Sequence, residues 1–449
     1  MALHEKAFWF ICFFLGGVLI ASITRQLGHP LMFAVLVGTI LVLIVCMFAR
    51  RPMGWLSLAL IAGSLYLFYF NQLQAQRFTV PLQTQIEITA MALRVSRGDQ
   101  SQSVDVSLEP PYQGKVRLYL REYPTVRYGD ELKVVGSLQP IPGDRAGYFL
   151  KENIRATLSF PKSFEITAHD KGSTIKTRLY AIRDWVEASF RKNLAPEPAT
   201  LMTGLILGKS GGFSKEFTEK LKLSGTTHLV ALSGQNITII INALAVLLGS
   251  FFSRRFTVYL SILAIIGFVV MTGAEASVVR AAIMATIVVI AERASRIHSA
   301  RSAIAVAAFV MVCVNPSVLA FDVGFQLSFL ALIGIVYLDP ILRRIFRVSE
   351  SPGLLCWRKN MWMSISAQLA VLPILLLNFG FVSPVGVISS MLLVSFVPYT
   401  MFAGVLIVVL SSISSLLAIL AVIPAQLLLG YELFIINICA RLSSWLGFS

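Results

Sequence analysis

The chain has 449 residues, 56% of them hydrophobic and 14% charged, with a formal net charge of +15. Soluble globular chains average about 25% charged residues, so composition excludes an ordinary soluble protein and points to the bilayer as solvent. Residues 72–197 hold 18 Lys/Arg and 14 Asp/Glu, while the more apolar remainder holds 20 and 9. That basic excess marks membrane edges or attracts a polyanion.

In chain order, the first elements are apolar. A membrane helix needs roughly 20 mostly apolar residues, and Phe8–Thr24, Leu31–Phe48 and Trp55–Phe70 supply three N-terminal spans within residues 1–71. No AxA-like cleavage site follows the first, which is therefore expected to be retained. From Gln72 the pattern becomes short and alternating. Thr84–Val95, Ser103–Leu108, Lys115–Arg121, Asp130–Leu138 and Asn153–Phe160 read as strands separated by turn signals such as Arg97-Gly98-Asp99 and Pro142-Gly143-Asp144. Five strands within residues 72–170 suit a small closed barrel such as an OB-fold. Residues 171–198 follow, with Thr174–Leu194 as an amphipathic helix fit for the membrane interface or for packing on the barrel.

Apolar segments resume over 199–449. Ala199–Leu207 is too short to cross and is a candidate re-entrant segment. His228–Phe251, Phe256–Thr272, Ser277–Ala291, Ala303–Val314, Val323–Leu338, Met361–Asn378, Val385–Val397, Met401–Ala421 and Ala425–Leu446 complete the set. The expected fold is a polytopic α-helical membrane protein of about ten spans with a small β-domain inserted near its N-terminus. Arg50/Arg51, Arg254/Arg255, Arg293/Arg296/Arg301 and Arg343/Arg344/Arg347/Arg358/Lys359 fall at every second boundary. The positive-inside rule puts these clusters in the cytoplasm and the β-domain outside.

Polar groups at membrane depth are the candidates for function. Glu275 and Arg280 flank the start of one span, and Asp322 and Gln326 lie one turn apart at the start of another. His228, Gln235 and Asn242 are spaced by seven and form one helical stripe, which Ser233-Gly234 is placed to interrupt. Interhelical hydrogen bonding without transport is the plain alternative for such a stripe. In the β-domain, Lys115, Arg117, Tyr119, Arg121, Arg127 and Lys133 interleave cations with a ring, the pattern that single-stranded nucleic acid binding uses. Gly208-Lys209-Ser210 is not a P-loop, because the required first glycine position is Thr203. The five cysteines form no CxxC, and the five histidines form no HxHxDH or HExxH motif. No disulfide framework, metal site, cofactor or enzymatic centre is expected.

Several motifs then resemble a known family. Thr227–Asn236 (THLVALSGQN) is similar to the HLxAxSG signature of ComEC competence proteins. Gly204–Lys209, Ser277–Met284, Gly324–Phe329 and Gln368–Phe379 resemble further family segments in the same order. The resemblance implies an OB-fold for the β-domain and a channel in the cytoplasmic membrane that conducts single-stranded DNA inward during natural transformation. It implies His228, Ser233, Arg280 and Gln326 as functional positions. An extracytoplasmic DNA receptor and a cytosolic translocase are the implied partners. Gln235-Asn236 stands where the family more often has Leu-His, so an amide replaces a titratable ring. The chain ends at Ser449 without the metallo-β-lactamase-like domain of many members. A short form, with strand degradation left to a separate nuclease, is the corresponding expectation. A secondary transporter of a small anionic or lipid-linked solute, and a non-conducting scaffold of a competence assembly, are the rival readings.

Overall fold

The structure is a computed structural model that describes residues 3–27, 54–97, 101–141, 146–208, 213–230, 236, 239–240, 250, 252–293, 300–347, 357–380, 383 and 385–446. The chain forms two compact units, one of residues 1–177 and 301–325, the other of residues 178–300 and 326–449.

In the first unit, α1 (Leu3–Leu27) and α2 (Gly54–Gln76) cross closely through glycines. A Cβ on Gly17 would overlap the Leu60 carbonyl, and one on Gly63 would overlap that of Phe14. Ser64 Oγ donates to Gly17 O at 3.0 Å across the same crossing. In lipid there is no hydrophobic drive between helices, so this backbone approach and its hydrogen bond hold the pair. The expected Leu31–Phe48 span lies outside the described residues.

The β-domain follows as β1 (Gln85–Arg97), β2 (Ser101–Leu108), β3 (Lys115–Arg121), β4 (Glu131–Ser137), β5 (Gln139–Pro140), β6 (Ile154–Ser159) and β7 (Ser163–Ala168). All five expected strands are present with shifted ends. β5 continues β4 after Leu138, and two features went unforeseen: β7, and the short helix α3 (Ala146–Lys151) before β6. β1 pairs with β2 and β4, β2 with β3, and β3 runs parallel to β6. β5 pairs with β6, and it follows β4 after a single residue, so the ladder returns to β1 and closes. Inside lie Ile88, Val104, Val106, Val116, Leu118, Leu120, Leu132, Val134 and Leu158, all buried. Alternation therefore sends Lys115, Arg117, Tyr119 and Arg121 to the outer face of β3.

A corner formed by α10 (Ala300–Val314) and α11 (Ser317–Phe321) holds the β-domain. Asn315 Nδ2 donates to Lys151 O at 2.7 Å, Lys151 Nζ pairs with Asp322 at 3.4 Å, and Phe321 packs where a Cβ on Gly147 would lie.

The second unit contains α4 (Thr174–Asn193), α5 (Pro196–Leu207), α6 (Lys215–Leu223), α7 (Thr227–Val230), α8 (Arg254–Met271), α9 (Ala276–Arg293), α14 (Trp357–Phe379), α15 (Gly386–Val394), α16 (Val397–Ile413) and α17 (Ser415–Trp445). Helix α12 (Val323–Ile333) joins the units and runs through a π turn at Gly334–Leu338 into α13 (Asp339–Ile345). That turn lets Gly334 press against Ser366 and Ala370 of α14, where a Cβ would lie 2.6 Å from each. The expected amphipathic helix is α4, with Phe190 buried and Ile175 72% exposed.

Five helices among the described residues are long and apolar enough to cross a membrane, or six if α15 and α16, bent by 51°, make one broken span. Tyr259–Met271, Ala276–Ile287 and Ala300–Val314 are shorter apolar helices. The C-terminal division differs from the expectation. The break expected between Ala421 and Ala425 does not occur, since α17 runs through Pro424 as one 31-residue helix. The chain breaks instead at Ser414, whose extended backbone (φ −158°, ψ 140°) and side chain cap α17 by accepting from Leu416 N–H.

Candidate functional site

The sequence motifs converge in two places within the second unit. At the first, α5 ends at Gly208 in the left-handed conformation, φ 68°, and is buried from Leu201 to Leu207. Gly204 leaves room for α7, because a Cβ there would collide with Val230 Cγ1. Asn236 is buried and donates from Nδ2 to Leu205 O at 3.1 Å. Gly204 and Leu205 of one motif thus pack against Val230 and Asn236 of the other.

The turn before α7 is held by hydroxyls. Gly225 adopts φ +69°, and a Cβ there would sit 2.6 Å from Gly386 Cα. Ser383 Oγ donates to Leu223 O at 2.5 Å, Ser389 Oγ to Ser224 O at 2.7 Å, and Ser224 Oγ lies 2.7 Å from Thr226 Oγ1. These serines satisfy carbonyls that the chain break after α6 leaves outside a helix. Gln368 reaches the same crossing, its Nε2 being 3.4 Å from a Cβ built on Gly386. His228 is exposed, with Nδ1 3.0 Å from Gly225 O and Nε2 3.4 Å from Ser390 Oγ. Ser390 already donates to Gly386 O at 2.6 Å. The two ring nitrogens of His228 thus face Gly225 O and the Ser390 hydroxyl.

At the second place, Arg280 of α9 is 9% exposed, and its guanidinium lies 5.7 Å from the centre of the Phe329 ring. Arg280 Nη1 is buried and has no hydrogen-bond partner among the described residues. Val278, Ala281 and Ala282 of the same helix form an apolar cluster with Ile265. A buried cation lacking a counter-charge among the described residues is unfavourable by itself. Glu275, which the sequence sets nearby, is half-buried and does not pair with it. Gln326 is half-buried on α12.

Asp322 is already engaged. It accepts from Phe325 N–H at 3.2 Å, capping α12, and pairs with Lys151. Ser233, Gln235 and Asn242 lie outside the described residues.

The barrel candidates divide likewise. Lys115, Arg121 and Arg127 are exposed and Tyr119 half-buried. Lys133 is exposed and bonded to Glu87 at 2.7 Å, which raises its pKa. Arg117 stands apart from this surface set. It is buried, forms two bonds to Asp105 at 2.5 and 2.9 Å, and lies over Tyr148 and Phe149 at 5.4 and 5.2 Å. Burial works against its charge, but the Asp105 carboxylate outweighs burial and holds the guanidinium protonated above its ordinary range.

Sequence reasoning missed Glu432 of α17, which is buried against Thr400. A single acid inside a long apolar run was the available signal. The hydroxyls of Ser383, Ser389 and Ser390 carried no signal, since serine is common in membrane helices.

A family model described as Competence protein matches residues 205–447. The chain is similar to ComE operon protein 3 of Bacillus subtilis (strain 168), 29% identical over 243 residues that cover 53% of this chain and 30% of that protein. The chain thus spans less than a third of that curated relative's length. No solved structure matches.

Proposed function

This chain belongs to the competence protein (ComEC) family, and on that premise we propose that it conducts single-stranded DNA through the cytoplasmic membrane in natural transformation. The observation that carries the reading is Arg280. A buried guanidinium with an unpartnered Nη1 in an apolar helix is suited to a passing phosphate, which would supply the missing acceptor. His228, whose ring nitrogens face Gly225 O and the Ser390 hydroxyl, is a second polar group of the path.

The β-domain is an OB-fold in this reading. Support comes from its closed strand order, β1-β2-β3-β6 and back through β5/β4, with α3 placed before β6. It faces outward, since the arginine clusters at alternate boundaries belong in the cytoplasm. Lys115, Tyr119, Arg121 and Arg127 receive the strand there, with phosphates on the cations and bases on the ring. The protein acts without catalysis of its own. A receptor outside and a translocase inside complete the machine.

The test is import of labelled DNA by cells that carry this chain as their only family member. Arg280→Ala inserted at wild-type level should abolish import, and Arg280→Lys, a point charge without the fork, should restore part of it. Import by Arg280→Ala at the wild-type rate would remove Arg280 from the path. The same unpaired cation also suits a small-anion transporter. Proteoliposomes that take up inorganic phosphate but exclude an oligonucleotide would favour that alternative.

A further inference from the structure

Glu432 is used neither by the motifs nor by the proposed conduit. It lies within the apolar helix α17 and is 2% exposed. Its Oε1 is 2.6 Å from Thr400 Oγ1 of α16, and no cation is within ion-pair distance among the described residues. Beside it is a cavity of about 10 Å³, lined by Leu201 and Leu205 of α5, Thr226, Leu229 and Val230 at α7, Leu393 of α15 and Val397 of α16. That volume is at the lower limit for a single water.

Of the other titratable groups on these elements, Cys439 of α17 is a buried free thiol seven residues on, and the rest have their own partners or point to solvent. Tyr431 O–H donates to Leu392 O at 3.3 Å, and the His228 ring faces Gly225 O and Ser390. On α6, Lys220 pairs with Glu216 at 2.7 Å, while Glu219 and Lys222 are exposed.

An ionised carboxylate in this setting loses several kcal/mol of hydration with no counter-charge to offset it. A neutral carboxylic acid needs only a partner for its O–H. Thr400 provides one. Its Oγ1 also lies 3.3 Å from Phe396 O, so it can accept the carboxyl hydrogen while donating its own to that carbonyl. We propose that Glu432 is a proton-binding site whose occupancy follows the entry of water into this cavity.

The step balances. The carboxyl proton passes to a water admitted to the cavity, and the Thr400 hydrogen turns from Phe396 O to the new carboxylate. Leu229 and Val230 of α7 line the cavity, so their packing limits the entry of that water.

This inference is independent of DNA, and its test uses none. Infrared spectra of the full chain in proteoliposomes are recorded across a pH series in water and D₂O, with circular dichroism confirming each variant's fold. Wild type is expected to show a deuterium-sensitive C=O band of a protonated acid that is lost as pH rises. The band should be absent in Glu432→Gln. It should move to higher frequency in Thr400→Val, where the hydrogen-bond acceptor is gone. Coincident wild-type and Glu432→Gln spectra would overturn the proposal, as would a band unmoved by Thr400→Val.

Discussion

Asp105→Ala on β2 should destabilise the barrel far more than a surface substitution would. The side chains of Arg117 and Asp105 are 11% and 12% exposed, and two short hydrogen bonds join them. Removing the carboxylate strands a buried guanidinium, a change that costs about 3–5 kcal/mol. At 1.4 kcal/mol per factor of ten this is roughly two to three and a half powers of ten in the opening equilibrium. Adding Arg117→Met removes the stranded charge while keeping an apolar stem against Tyr148 and Phe149. The double variant should return to within about 1–2 kcal/mol of wild type, because replacing a whole buried pair with apolar groups is often near neutral. Amide hydrogen exchange of β2 and β3 in the detergent-solubilised full chain reads this directly. The prediction is fast exchange in the single variant and near-native protection in the double. A single variant as protected as the double would refute the argument, since Arg117 would then have found water or another partner. Such a result would also return Arg117 to the surface cations open to DNA.

Three further outcomes are expected. Lys115→Ala with Arg121→Ala should leave the barrel's stability within about 0.5 kcal/mol of wild type and lower the salt slope of oligonucleotide binding by about two, measured by fluorescence anisotropy over a salt series. Gly225→Ala combines a positive φ with a Cβ 2.6 Å from Gly386 Cα and should prevent stable insertion, whereas Gly404→Ala meets only the flexible Met202 and Ile206 side chains and should be tolerated, both read as folded yield by size exclusion. Asp322→Ala removes the Lys151 pair and the cap on Phe325 N–H, and should loosen the β-domain's mooring by about 1–3 kcal/mol, seen as faster proteolysis around residues 146–154.

Much of this protein was legible in its residues. Apolar runs of membrane length announced α1, α2, α12 and α14, since a bilayer demands them whatever their neighbours are. Period-two alternation announced β1 to β4 and β6, because each strand has one face in the barrel and one in water. The order of the family motifs named the lineage. Those signals are local, carried by hydrophobicity and spacing alone.

What required the tertiary structure is pairing. Lys115 and Arg117 look alike in sequence, yet one is exposed and the other locked to Asp105, twelve residues away on the neighbouring strand. Arg280 has no counter-ion within reach among the described residues, whereas Asp322 is already spent on Lys151 and a helix cap. Glu432 meets Thr400 only because α16 and α17 fold back on each other, and Ser414, not Pro424, ends the helix between them. Hydrophobicity is summed along the chain, but the state of a buried charge depends on what lies across from it, and that is decided only when the helices and strands are packed.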